Sequence, residues 1–195
     1  VAWCVERIND VTPTWKLKGF IDDNETKWKT KEDGYIVLGD CEYLKQQENA
    51  YAVCAVGNAK VRKQIIEKLS NSGVRFATIV DPSVILSKSV SIGEGTIICA
   101  GTIATVDISI GKHVIINLDC TLGHDDAIAD YVTIYPSVNI SGNVTVGECS
   151  ELGTGMQIIQ GKNIAPNTII GAGAVVVKDL NESGTYVGSP AKKIK

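Results

Sequence analysis

Only two histidines occur in the chain, His113 and His124, so any chemistry built on an imidazole falls to one of them. His124 is followed directly by Asp125 and Asp126. A carboxylate beside an imidazole can fix its tautomer and raise its basicity, as a general base working near neutral pH requires. The competing reading makes His124 an ordinary turn residue and leaves Asp126 to bond backbone amides. His113 reads as a packing residue. Metal chemistry is disfavoured, because a three-histidine zinc site needs one more imidazole than the chain has. No GxSxG stretch supports a serine nucleophile.

Both histidines lie inside a repeat. From Val80 every sixth residue is apolar: Val80, Leu86, Ile92, Ile98, Ala104 and Ile110, then Ile116, Leu122, Ile128, Ile134 and Ile140, and finally Val146, Leu152, Ile158, Ile164, Ile170 and Val176. A period of six fits neither a helix nor a simple strand; it is the signature of a parallel β-helix. The fifth place of each hexad is mostly small or β-branched, as at Val84, Thr96, Val114, Cys120, Val132 and Ser150. One large and one small inward position per hexad predict three flat sides per coil, or eighteen residues a turn. Counting by eighteen stacks His113 between Gly95 and Tyr131, and His124 between Val106 and Gly142. Gly142 would offer bare backbone above an imidazole. Asp126 falls in an inward fifth place, where a buried acid requires a hydrogen-bonding partner.

The first 78 residues differ in texture. Helices are expected at Val1–Ile8, Glu42–Gln47 and Lys60–Leu69, the last with Arg62, Lys63, Glu67 and Lys68 on its polar face. Short strands are expected at Lys18–Ile21, Tyr35–Leu38, Ala50–Val56 and Val74–Val80. This alternation predicts a small parallel α/β unit, Rossmann-like. Such sheets bind ligands beyond the carboxyl ends of their strands, which singles out Asp22, Asp23 and the turn Gly57–Asn58–Ala59 for a nucleotide or sugar. Acidic pairs after strands also serve as caps and turn residues, so both readings stand. A doubly wound unit normally opens with a strand and a glycine-rich turn. The sequence begins at Val1, inside the first helix, so either that strand and loop precede it or the unit is a reduced version.

The expected organisation is therefore an α/β unit over 1–78, a β-helix over 79–181 and a tail over 182–195. A net charge of −3 without blocks of like charge argues against nucleic acid and anionic membranes as partners. Six scattered cysteines, no signal-like start and no long apolar run suggest reduced thiols in a cytoplasmic protein.

Several stretches resemble the left-handed β-helix acyltransferases: Gly123-His124-Asp125-Asp126, Asp130-Tyr131-Val132, Ser141-Gly142-Asn143-Val144, Ile170 to Val176, and Val187 to Lys192. At the front, Gly19 to Asp23, Val37-Leu38-Gly39 and Val56-Gly57-Asn58 resemble the small N-terminal domain of bacterial nucleotide-sugar acetyltransferases, the bacillosamine, perosamine and sialic acid group. The resemblance implies a homotrimer with acetyl-coenzyme A between neighbouring left-handed β-helices. It implies His124 as general base, Asp125 as the acid orienting it and Asn117 holding the acceptor. Gly142 would donate its amide to the thioester carbonyl, the Ala172 backbone would meet the pantetheine arm, and Asp22 and Asp23 would contact the nucleotide base. Three departures stand out. Thr133 replaces a second histidine, Asp126 replaces a small residue or cysteine, and the glycine-rich first turn is not in the sequence. The implied reaction is N-acetylation of a nucleotide-linked amino sugar, with no metal. Sugar O-acetylation by the same machinery is the nearest alternative, and a non-catalytic hexapeptide scaffold the more distant one.

Overall fold

The computed structural model describes residues 1–195. Its larger part is a left-handed parallel β-helix of two-residue strands on three faces. The first face stacks Ile79–Val80, Ile97–Ile98, Ile115–Ile116, Thr133–Ile134, Glu151–Leu152 and Ile169–Ile170. The second runs from Ile85–Leu86 to Val175–Val176, and the third from Ser91–Ile92 to Asn163–Ile164. Pairings among these strands join residues eighteen apart, as in Ile103 to Thr121 to Asn139, and the first face is closed by Thr185–Val187, where Ile169 pairs with Thr185. The sixth-place residues fill the prism. From Ile98 to Val176 all are buried; Val80, Leu86 and Ile92 are half-buried because no coil lies beneath them.

The corners follow one backbone rule. From Gly95 to Gly173 the residue before each fifth place takes a left-handed conformation, as at Asp107, His113, Asp119, Asp125, Tyr131, Ser137 and Asn143, all with φ between 52° and 59° save Asp125 at 62°. That region is tolerated by Asn, Asp and Gly and is costly for bulky side chains. His113 and Tyr131 occupy it regardless, with rings stacked 5.5 Å apart and 9° from parallel, and Phe76 edge-on to His113 at 4.8 Å. His113 is a buried packing residue.

The N-terminal unit carries helices α1 (Ala2–Val11), α2 (Cys41–Lys45) and α3 (Ala59–Leu69). Its strands are β1 (Phe20–Ile21), β2 (Lys31–Glu32), β3 (Tyr35–Gly39), β4 (Tyr51–Ala52) and β5 (Arg75–Phe76). The single parallel sheet expected from the sequence is corrected in two respects. β3 pairs in parallel with β1 but antiparallel with β2, through a hairpin at Asp33–Gly34, both with positive φ. That Asp-Gly pair is a standard hairpin signal. β4 and β5 form a separate parallel pair, and an apolar groove of about 1210 Å³, lined by Val5, Leu17, Phe20, Ile21, Val53 and Phe76 among others, lies beside both parts.

The expected strand Val74–Val80 is divided. Arg75–Phe76 pairs with β4, while Ile79–Val80 already belongs to the first coil. This handover lays the N-terminal unit on the first face, so the outward side chains Ile79, Ile97, Ile115 and Thr133 are buried there. On the second face, the equivalent Ile85 and Ile103 are exposed. Arg7 fastens α1 to the first turn by a two-pronged bond to the buried Asp81, Nε to Oδ2 at 2.6 Å and Nη2 to Oδ1 at 3.1 Å. No helix is long and apolar enough to cross a membrane.

Candidate active site

His124 and Asp125 sit at the corner between the second and third faces, half exposed. His124 Nδ1 lies 2.7 Å from Asp125 Oδ2, which leaves Nε2 free to act. Asp125 holds this place at a corner with left-handed backbone, φ 62°. Gly142 lies on the next coil, and a Cβ there would come within 2.5 Å of Nε2. The close approach of ring to backbone therefore requires glycine. The two turns are tied by the bond from Asn143 N–H to His124 O at 2.6 Å. The amides of Gly142 and Ala172 have no partner within the chain. They are ready-made donors for an external carbonyl.

Beneath the pair, Asp126 is buried, 1% exposed. Its Oδ1 accepts the Val144 N–H at 2.9 Å; its Oδ2 has no partner. Burial pushes this carboxyl up to about 7. One oxygen thus bonds a backbone amide, as one sequence reading expected, and the other is left without a partner.

A second group of residues gathers on the side of the prism that faces the N-terminal unit. Arg62, expected on the polar face of α3, is instead fully buried. No carboxylate contacts it. Its guanidinium donates to Val56 O (2.6 Å), Gly57 O (3.1 Å), His113 O (2.8 Å), Tyr131 O (2.7 Å), Val132 O (3.2 Å) and Thr133 Oγ1 (2.8 Å). The carbonyl dipoles of three neighbouring segments take the place of a counter-ion, and burial pulls the guanidinium pKa down. Thr133 Oγ1 in turn donates to Gly57 O at 2.7 Å. Glu151 completes the clasp, accepting the Ala59 N–H at 3.0 Å and facing the Tyr135 hydroxyl at 3.2 Å. Sequence reasoning missed Arg62, Tyr135 and Glu151. The available signal was Thr133 itself, where the family pattern has a histidine.

Gly57 is thus fixed beside Tyr135, whose hydroxyl lies 3.9 Å from where a Gly57 Cβ would be. Asn117 lies one coil below Tyr135, at the corner between first and second faces, with Oδ1 turned back to the Leu118 N–H at 2.8 Å. Ala172 is exposed at that same corner three coils further on. At the N-terminal end, Asp22 is already occupied. Its carboxylate accepts from Lys27 Nζ at 2.7 Å and the Asn24 N–H at 2.9 Å, which holds its pKa low, as the turn-residue reading has it. Asp23 lines a polar pocket of about 380 Å³ with Trp28, Asp40, Glu42, Lys45 and Lys68. The structure therefore sorts the sequence candidates into two sets on two edges: His124, Asp125 and Gly142 on one; Asn117, Ala172 and the Gly57 turn on the other. No cluster of three or more His, Cys, Asp or Glu side chains is placed to hold a metal ion.

Comparison with known proteins places the fold. Residues 2–69 match the PglD N-terminal domain family. The chain is 32% identical to GDP-perosamine N-acetyltransferase of Escherichia coli O157:H7 over 172 residues, 85% of this chain and 77% of that protein. Among solved structures, the acetyltransferase domain of PglB from Neisseria gonorrhoeae FA1090 superposes with a TM-score of 0.89 at 29% identity, covering 98% of this chain and 93% of that one. The same domain has been solved with acetyl coenzyme A. A histidine-to-asparagine mutant of perosamine N-acetyltransferase from Caulobacter crescentus, in complex with CoA and GDP-perosamine, gives 0.90 at 30% identity, covering 98% and 90%. Fold and comparisons together define an acetyltransferase of left-handed β-helix architecture. The chain belongs to the hexapeptide-repeat family of bacterial sugar N-acetyltransferases.

Proposed function

We propose that the protein transfers the acetyl group of acetyl-coenzyme A to the amino group of a nucleotide-linked amino sugar, with His124 as general base. The observation that carries this reading is the His124–Asp125 pair, half exposed, with Nε2 against the bare backbone of Gly142. Nε2 takes a proton from the sugar amine as its nitrogen attacks the thioester carbon. The Gly142 N–H stabilises the oxyanion, and the C–S bond breaks with coenzyme A leaving as thiolate. A positioned base contributes ~10²–10⁴-fold and one oxyanion donor ~10²–10³-fold.

The two-edge distribution of candidates favours a site shared between copies in a homotrimer. One copy supplies His124, Asp125 and Gly142, and its neighbour supplies Asn117, the Gly57 turn and the Ala172 amide along the pantetheine arm. The nucleotide lies on the N-terminal unit, its base near Asp22 and Asp23. Lys27 engages Asp22, and Asp23 is held more loosely, by the Cys41 N–H at 3.4 Å and Lys68 Nζ at 3.9 Å. The chemistry needs no metal.

The test follows free thiol while acetyl-coenzyme A is offered UDP-, GDP- and dTDP-linked amino sugars alongside their hydroxy counterparts. Thiol release with an amino sugar is expected. Release with the hydroxy sugars alone would replace N- by O-acetylation, and release with none would overturn the reading.

A further inference from the structure

The inward fifth-place side chains share one hydrogen-bonding habit. Thr96 Oγ1 donates to Gly111 O at 2.8 Å and accepts the Val114 N–H at 3.1 Å. Ser150 Oγ donates to Ala165 O and accepts the Thr168 N–H, each at 3.2 Å. Thr102 Oγ1 donates to Asn117 O at 3.1 Å, and Cys120 Sγ to Tyr135 O at 3.2 Å. In each case the carbonyl lies fifteen residues on, and the amide, where used, eighteen. Thr96 and Ser150 thus stitch two coils by giving one hydrogen bond and taking another, and Thr102 and Cys120 by giving alone; Thr168 is the exception, donating to Ala165 O of its own coil at 2.7 Å.

Asp126 stands in this column and satisfies half the rule. It accepts the amide eighteen residues on, that of Val144. The carbonyl fifteen residues on belongs to Ser141, the residue before Gly142, and the second oxygen of Asp126 is buried without a partner. A carboxylate has nothing to donate to a carbonyl; a carboxylic acid has. We propose that Asp126 carries its proton and is a positioning residue of the acetyl-transfer site, its carboxyl bridging Val144 N–H and Ser141 C=O so that the Ser141–Gly142–Asn143 turn is held over His124. The catalytic half of this inference rests on the reading of His124 and Gly142 given above; the protonation does not.

The surroundings agree. The coils on either side present Ile108 and Val144 to the carboxyl, and the charged groups facing it are His124 and Asp125 of its own turn. Burial dominates there and pushes the group up to about 7. Above that pH the proton is lost and a buried carboxylate confronts the Ser141 carbonyl, so the turn loses its upper stitch.

Infrared difference spectra of wild type against Asp126→Asn, with ¹³C-labelled aspartate, test the protonation without needing turnover. The band of a protonated carboxylic acid is expected at pH 6, giving way to carboxylate above neutrality. A carboxylate band already present at pH 6 would overturn the proposal. Kinetics test the positioning. Asp126→Val, whose side chain the repeat uses at Val114, Val132 and Val138, should fold, bind acetyl-coenzyme A and lose about tenfold in kcat. Asp126→Asn keeps an acceptor for Val144 and a donor for Ser141. It should restore kcat and abolish the alkaline decline of the wild type. A valine variant with full kcat, or an asparagine variant sharing the decline, would sink the positioning role. Absence of thiol release from any acceptor would count against the acetyl-transfer reading and leave the infrared result standing.

Discussion

Arg62 Nη2 donates to Thr133 Oγ1 at 2.8 Å, and through that hydroxyl to the carbonyl of Gly57, so one buried cation binds the N-terminal turn to the β-helix. Thr133→Val keeps the shape and removes both bonds of the hydroxyl, at a cost of about 1–2 kcal/mol. If the Gly57 turn holds the nucleotide sugar, KM for that substrate rises several-fold while KM for acetyl-coenzyme A stays put. Arg62→Met strands the carbonyls of Val56, His113 and Tyr131 together and should cost about 3 kcal/mol or more. Steady-state kinetics and urea unfolding measure the two effects separately.

Loss of the base should be visible in chemistry and invisible in coenzyme binding. His124→Ala is expected to lower kcat by about a hundredfold or more, with the acetyl-coenzyme A Kd unchanged in calorimetry. Gly142→Ala drives a methyl group into the space of Nε2 and should lower kcat at least about tenfold, although the backbone φ there suits alanine.

A site divided between copies makes a different kind of forecast. His124→Ala and Asn117→Ala damage opposite edges of the prism. Unfolded together in equal amounts and refolded, they form mixed trimers in which one interface in four, on random assembly, unites two intact halves. About a quarter of wild-type activity should return. Recovery no greater than the sum of the separate mutants would place the whole site in one chain.

The two buried aspartates respond to pH with opposite sign. Asp126 has its pKa raised to about 7 from an unfolded 3.8, so the native state binds the extra proton and stability falls as pH rises from about 4 to about 7. At ~1.36 kcal/mol per unit this amounts to at most about 4 kcal/mol. Asp126→Asn should therefore gain on the wild type with rising pH across that window. Asp81 is lowered to about 2, chiefly by its hydrogen bond from Arg7, and its contribution of about 2 kcal/mol is present above pH 4 and lost as pH falls towards 2. Urea unfolding at stepped pH, with Asp81→Asn as the partner variant, resolves both trends.

The β-helix was legible because its signal is written in one dimension. A residue's neighbours are those eighteen before and after, so Gly142 over His124 could be counted off the sequence. The N-terminal unit obeys no such rule. Whether Arg62 faces water or a cage of carbonyls depends on how α3 lies across the first face, and a helical stripe cannot say what covers its other side. The divided sheet was hidden for the same reason, since strands of two residues carry too little pattern to show which edge they join. The Asp33–Gly34 turn, by contrast, carries a hairpin signal legible in the sequence itself.

The left-handed corner column has an evolutionary consequence. Its backbone shape recurs every six residues whether the occupant is Asp, His, Tyr, Ser, Asn, Cys or Gly, as the positions from Gly95 to Gly173 show. The scaffold thus favours Gly, Asp and Asn, which fill ten of these fourteen corners, yet still admits other side chains. Reactive groups can be exchanged, gained or silenced by single substitutions without redrawing the chain path. A lineage built on such coils can explore new acceptors while its architecture stands still.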